Sequence, residues 1–480
     1  MFSRRTRERN RRIFYGKTAK TKRYNRGMMS LMRTIKHVSL VSAMQFGIAL
    51  FLFLFPWQTI WMYREPIIGG MKFQYGVLGL YATEILLWGI IVLFCVWYVQ
   101  KIRQSKIQGR FQFSWTPDRI CVALFFSFWL YALMSSLRAL DSALAFQQGI
   151  RIVEAFLFFF VLWAGPCSFS YIARWFALGS GIPALLGIWQ FTAQSTFSST
   201  LLGLSFHALD QAGTSIVASE SLGRVLRAHG PFSHPNMFGG YLVVAMLMTV
   251  VLLSLGERAQ QYRKAYWSLL FLQGVALFFT FSRTAWLAAV SFLFSFFLFS
   301  RNADTKRPPP RMSLCGLAGV VFIVLIFGVA FFPILRTRFS VSSRHESYAV
   351  SDRIVQISQA MSLVKMHPWI GVGGGNYTSS LMGIGVLLPI WQYQPVHNVF
   401  LLLLAEFGFA GVSLLALSGI FFLFSFYYQN QPRSFLGWIL IPYLIVLSLD
   451  HYMFTQYSGL LLNSMLLCVY CVGQKQKNML

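Results

Sequence analysis

DRIVQISQAMSLVKMHPWIGVGGGNY (352–377) and HNVFLLLLAEFGFAG (397–411) bracket the stretch on which the fold turns. From Pro333 to Val396 the chain lacks a continuous apolar run, whereas a bilayer-crossing helix needs about 20 such residues. It then enters a strongly apolar segment through His397 and Asn398. A long polar excursion ending in a His at a membrane re-entry point is where chemistry is to be sought first.

Outward from this stretch the chain reads as membrane-crossing helix with short connections. Of 480 residues, 56% are hydrophobic and only 11% charged, against about a quarter charged in soluble domains. The apolar runs predict an all-α polytopic membrane protein of twelve spans. They lie near 38–56, 77–98, 119–137, 151–165, 175–193, 236–255, 267–281, 285–300, 313–332, from 397, 435–450 and 457–472. The tenth must be long or broken near Gly408. The expected organisation is a basic tail (1–37), a helical bundle (38–472) with one large loop (333–396) before span ten, and a short tail (473–480).

The net charge of +27 would suit nucleic acid, but its placement argues against that partner. Thirteen Lys or Arg lie in residues 1–37, and 29 of the 41 fall in the tails and alternate short connections. That is the positive-inside pattern, with both termini cytoplasmic and 333–396 outside. No signal-peptide cleavage pattern is seen, so the first span is expected to stay. Anionic lipid headgroups are a secondary partner for the N-terminal tail. The six Cys sit near cytoplasmic span ends, which argues against disulfides. Cys468 and Cys471 read as packing.

Cations outside the positive-inside pattern need a partner or an anionic ligand. Arg227 lies in RAHGPFSHPN (227–236), where a polar loop turns into span six, and Arg283 in FSRTAW (281–286), a tight turn. Guanidinium suits phosphate because its planar fork binds two oxygens at once; interface anchoring is the plainer role. Arg224 and Arg353 are further cations of this kind. His397 has the pKa range of a general base near neutrality, and a helix-capping or packing role is its plain alternative. Asn398 and Glu406 are candidates to orient it or a sugar hydroxyl. GVGGGNY (371–377) lacks the strand–turn–helix context of a nucleotide loop and reads as a flexible turn with exposed N–H groups. Arg151 and Glu154, three residues apart on a helix, are expected to pair. Glu84 and Asp450 are acids at or in the membrane without an evident partner. No P-loop, HExxH, EF-hand spacing or DxD pair is present.

With these stretches, twelve spans and one large loop, the chain resembles the O-antigen ligase and O-antigen polymerase superfamily of bacterial envelope proteins. The likeness rests on 227–236, 281–286, 367–377 and 397–411, and covers residues 220–415. It implies a GT-C-like bundle in the bacterial inner membrane and an inverting, metal-independent glycosyltransferase without a cofactor. It implies transfer of a glycan from an undecaprenyl-diphosphate carrier to an acceptor at the periplasmic face, first of all lipid A-core in lipopolysaccharide biosynthesis. Arg227 and Arg283 would hold the diphosphate, and His397 would take the acceptor's proton. O-antigen or exopolysaccharide polymerase and protein O-oligosaccharyltransferase share these motifs. A transporter of a solute such as bicarbonate, or of a lipid-linked glycan, is the rival from another class.

Overall fold

The computed structural model describes residues 39–107, 116–211, 213–219, 223–254, 261–301, 326, 328–339, 344–385, 388–428 and 434–472. The chain is an all-α polytopic membrane protein in which helices cover most of the apolar runs. In order they are α1 (Ser39–Leu54), α2 (Ala82–Ile107), α3 (Pro117–Ser135), α4 (Ser142–Ala164), α5 (Phe169–Gly179), α6 (Gly181–Ala193) and α7 (Pro235–Ser254). Then come α8 (Arg263–Phe279), α9 (Arg283–Arg301), α10 (Phe332–Phe339), α11 (Arg344–Met366), α12 (Tyr377–Gly383) and α13 (Val399–Tyr428). The last are α14 (Ser434–Leu449), the short α15 (Tyr452–Thr455) and α16 (Tyr457–Val472). Five segments are long and apolar enough to cross a bilayer: Ala82–Gln104, Ser142–Ala164, Phe169–Ala193, Pro235–Leu253 and Val399–Ser425. The expected span at 313–332 lies largely outside the described residues, as do the tails 1–37 and 473–480.

Three departures from the sequence expectation have clear physical causes. Residues 142–150, expected as connection, are the first turns of α4. Their polar side chains find partners within the fold: Gln148 donates to Phe454 O (3.0 Å), and Gln147 and Arg151 both donate to Gly79 O (2.9 Å each). Glu154 therefore does not pair with Arg151 but accepts from Trp88 Nε1 at 2.6 Å. Span five is two helices, because Ser180 interrupts it; its hydroxyl turns back to Ala177 O and accepts from Gln273 Nε2 at 2.8 Å. Finally, the connections are not bare loops. Residues 60–81 form two antiparallel pairs, β1 (Ile60–Arg64) with β4 (Leu78–Tyr81) and β2 (Ile67–Ile68) with β3 (Met71–Lys72). A third hairpin pairs β5 (Ile216–Ser219) with β6 (Gly223–Leu226).

The bundle closes around α7, which is buried along nearly its whole length. Close approach is possible because α7 carries Gly239 and Gly240. A Cβ on Gly240 would lie 1.8 Å from Tyr452 Oη, so only Gly lets the 450–452 turn pack here. The hairpins, the turns at 136–141 and 280–282, residues 344–398 and the break at 450–456 lie at one end of the bundle, tied by side-chain bonds. Arg64 ion-pairs with Asp141 (2.8 Å), the N-cap of α4, and Asn376 brackets the Asp141 backbone with two hydrogen bonds (2.7 and 3.0 Å).

The break expected near Gly408 is present. Gly408 has φ 62° and ψ −173° inside α13, a region essentially reserved for Gly. Segment 367–376 plugs the break: Phe409 N donates to Pro368 O, Ala410 N to Trp369 O, Val372 N to Ala405 O and Gly373 N to Glu406 O (2.8–3.0 Å). GVGGGNY is thus a largely buried clasp in which the amides of Gly371, Val372, Gly373 and Asn376 are engaged, rather than an exposed turn. Gly408→Ala is expected to destabilise the protein by more than the ~1–2 kcal/mol of a left-handed residue, because its Cβ would lie 2.4 Å from Trp369 C. Gly419→Ala, on the same helix with nothing within 4 Å, is the neutral control; thermal unfolding in detergent measures both.

Candidate functional site

The polar centre at this end of the bundle is built from four separate stretches. Asp450, only 3% exposed, sits where α14 stops. Its Oδ1 accepts from His451 N (2.9 Å) and its Oδ2 from Asn236 Nδ2 (2.7 Å). The Asn236 amide oxygen accepts from Arg227 Nη2 at 2.8 Å. Arg227 also donates from Nε to Thr280 O (2.7 Å) and from Nη1 to Ser215 Oγ (2.6 Å), leaving it 5% exposed. Arg227 is thereby bonded into the turn that leads to Arg283, the first residue of α9. Ser282 supports that helix start by accepting from Ala285 N.

His397 stands two residues before α13 and meets His451 edge-to-face, with ring centroids 4.9 Å apart. Its Nδ1 bonds Gln356 Oε1 of α11 at 2.8 Å. Because the amide oxygen accepts, Nδ1 carries the proton and Nε2 keeps its lone pair. Burial is the main cause that lowers the His397 pKa below the ordinary 6.5, with Asp450 and Asp352 opposing and Arg353 assisting. His451 is pushed down to about 3 by burial and then by His397, again against Asp450. His234, whose Nδ1 accepts from Asn236 N (3.1 Å), is held well below 6.5 by burial and then by the charge of Arg227. The setting favours the neutral imidazoles and lowers their affinity for a proton.

The sequence-chosen residues divide accordingly. Arg227 and His397 belong to one network through Asn236, Asp450 and His451, and Arg283 begins the helix behind the Arg227–Thr280 bond. Arg353 is close enough to His397 to act on its charge. Arg224 is exposed on β6 opposite Ala218. Asn398 caps α13, accepting from Leu401 N (2.9 Å), and ties it to α14 through Ser448 O (3.1 Å). Glu406 is buried within α13 beside the clasp, where its backbone oxygen accepts from Gly373 N at 2.8 Å. It supports the α13 break rather than His397. Glu84 accepts from Tyr81 N (3.1 Å) at the start of α2.

Sequence reading missed His451, Asn236 and Gln356. His451 carries the signal that marked His397, a His at the end of a strongly apolar segment. Asn236 and Gln356 have no such mark, since an amide in a polar stretch is commonplace. Among the described residues, one group of side chains can hold a metal ion: His397, Asp450 and His451, whose ligand atoms all lie within 4.8 Å of one another.

Residues 267–416 match the family model described as O-Antigen ligase. The chain carries an O-antigen ligase domain. The match runs from α8 through the first part of α13 and includes Arg283, Gln356 and His397. It supports a glycan-transferring, multi-pass bacterial membrane enzyme of the ligase and polymerase family, acting on a lipid-linked glycan and a glycan acceptor. Comparison with curated proteins finds no match.

The polar centre depends on Asn236. Asn236→Ala removes a hydrogen bond from each of two charged groups, at about 1.5–3 kcal/mol apiece. A clear fall in thermal stability is expected, against about 0.5 kcal/mol or less for the exposed Arg224→Ala. In a double-mutant cycle, Arg227→Gln and Asp450→Asn should couple by about 0.5–3 kcal/mol although the two side chains do not touch.

Proposed function

We propose that the chain transfers a glycan from an undecaprenyl-diphosphate carrier to an acceptor hydroxyl at the periplasmic face of the inner membrane, ligation of O-antigen to lipid A-core being the foremost reaction. The observation that carries this reading is the line in which hydrogen bonds run from Thr280 through Arg227, Asn236 and Asp450 to His451, whose ring then meets that of His397 edge-to-face. It joins a fixed cation to a proton acceptor at one end of the bundle. Residues 220–415 are then the catalytic core, 333–396 the periplasmic segment, and both tails cytoplasmic.

In this reaction His397 Nε2 takes the acceptor's proton as its oxygen attacks the anomeric carbon. The bond from that carbon to the phosphate oxygen breaks, the configuration inverts, and the lipid diphosphate leaves. Gln356 keeps Nδ1 protonated, so the lone pair stays on Nε2. Arg283 receives the departing charge: a half-buried guanidinium at the first residue of a 19-residue helix adds its fork to the helix's positive end. Arg227, held by three bonds, contributes a charge that needs no rearrangement as the transition state forms.

The test is transfer in proteoliposomes from a lipid-diphosphate oligosaccharide, with lipid A-core, a second glycan repeat and a protein as acceptors, in the presence of EDTA. Wild type should give product. His397→Ala should lose about 10²–10⁴-fold and Arg283→Ala about 10²–10³-fold, with Arg283→Lys between. Unchanged product in folded His397→Ala would remove His397 from the chemistry, and the acceptor that reacts identifies ligase, polymerase or protein glycosylation.

A further inference from the structure

Proton transfer needs one neutral imidazole, yet the site holds two beside a carboxylate. Nδ1 of His397 is spent on Gln356 Oε1. Nδ1 of His451 lies 2.9 Å from Thr455 Oγ1. That hydroxyl also reaches His451 O (3.3 Å), and when its hydrogen is placed there it accepts from Nδ1, the tautomer that metal binding through Nε2 requires. Both rings then keep a lone pair on Nε2. A bond from the second ring nitrogen to an oxygen acceptor is also how metal-binding imidazoles are oriented.

Asp450 supplies the third group. It is 3% exposed, and among the described residues no Lys or Arg forms an ion pair with it. Its donors are an amide side chain and a backbone N–H. A buried carboxylate so placed calls for positive charge. The three ligand atoms lie within 4.8 Å of one another. An ion with bonds of about 2.0–2.2 Å needs them about 3.3–3.5 Å apart, so binding draws the three side chains together. Two imidazoles and one carboxylate suit Zn²⁺ and its first-row neighbours, whereas Mg²⁺ and Ca²⁺ prefer oxygen alone. His397, the more exposed of the pair, gives the ion a way in.

We propose that His397, Asp450 and His451 form a three-ligand site for a divalent transition-metal ion, Zn²⁺ foremost, and that the bound ion blocks His397 as a proton acceptor. Metal binding stands independently of the glycan-transfer reading; the blocking rests on it.

The experiment uses the full chain, free of affinity tag, in lipid nanodiscs after EDTA stripping and removal of the chelator. Zn²⁺ is titrated against a chelating dye, bound metal is counted by mass spectrometry, and Co²⁺ is followed by its visible absorption. Wild type should bind one equivalent of Zn²⁺, resist competition by Mg²⁺, and give the intense bands of low-coordinate Co²⁺. His451→Asn, checked for monodispersity and thermal unfolding, should bind at least about tenfold more weakly. Thr455→Val keeps all three ligands but removes the acceptor that orients His451; it should weaken zinc about tenfold and decides the matter if His451→Asn does not fold. No zinc on wild type, or wild-type affinity in both folded variants, overturns the site. In the transfer assay, zinc should inhibit wild type and EDTA should restore it. Zinc that binds as described but leaves transfer untouched overturns the blocking, and with it His397 as the base, while the metal site stands.

Discussion

A carboxylate buried where α14 ends, Asp450, is the constraint on which this end of the bundle depends. A charge out of water must be hydrogen-bonded or it destabilises the fold by several kcal/mol. Asn236 meets that need while facing two ways: its NH₂ donates to Asp450 and its oxygen accepts from Arg227. No apolar residue does either, and Asp at this position would set two carboxylates together. One helical turn further, on the same face of α7, Gly240 admits Tyr452, so the 450–452 turn and the start of α7 hold each other in register. Arg227 then carries the constraint to Thr280 and the start of α9.

A second constraint comes from the break in α13. Gly408 cannot accept a longer side chain, because its Cα lies against the Trp369–Ile370 backbone, and Gly371 lies as close to the backbone of Glu406. The two segments interlock, and Glu406 adds its backbone oxygen as the acceptor for Gly373 N. The large polar segment is therefore no detachable lid. It is built into the helix whose beginning carries His397, and α11 reaches over that His through Gln356. Asn376 extends the clasp to Asp141 and from there to Arg64, so the hairpin before α2 belongs to the same frame.

Much of the helical layout could be read from the sequence, since apolar runs and the spacing of Lys and Arg follow from the bilayer alone. The break at Gly408 was legible for the same reason: the apolar run is too long for one straight span. What escaped reading depends on residues far apart in the chain. Arg151 and Glu154 have helical spacing for a pair, yet Gly79 O and Trp88 Nε1 lie nearer. The glycines of 371–375 look flexible in isolation and are buried because another break must be filled. Asp450 could be marked as an acid in need of a partner, but Asn236 is 214 residues away. The absence of metal motifs says little about a group drawn from positions 397, 450 and 451, since motif spacings describe ligands on one local element.

The electrostatics of the cluster explain why the cations and the bases stand apart. Burial is the first cause that disfavours a charge on His234, His397 and His451, joined at His234 by Arg227 and at His451 by His397. Arg227 and Asp450 are thus the fixed charges at the centre, balanced across one amide. Arg283 adds a half-buried cation at the positive end of α9. His397, meanwhile, has its Nδ1 on Gln356, and Asp450, Arg353 and Asp352 are the charged groups that act on it. The Asp450–Asn236–Arg227 line keeps the central cation bonded and turned toward Thr280, so the fixed charges and the imidazoles share one end of the bundle without a direct ion pair between them among the described residues.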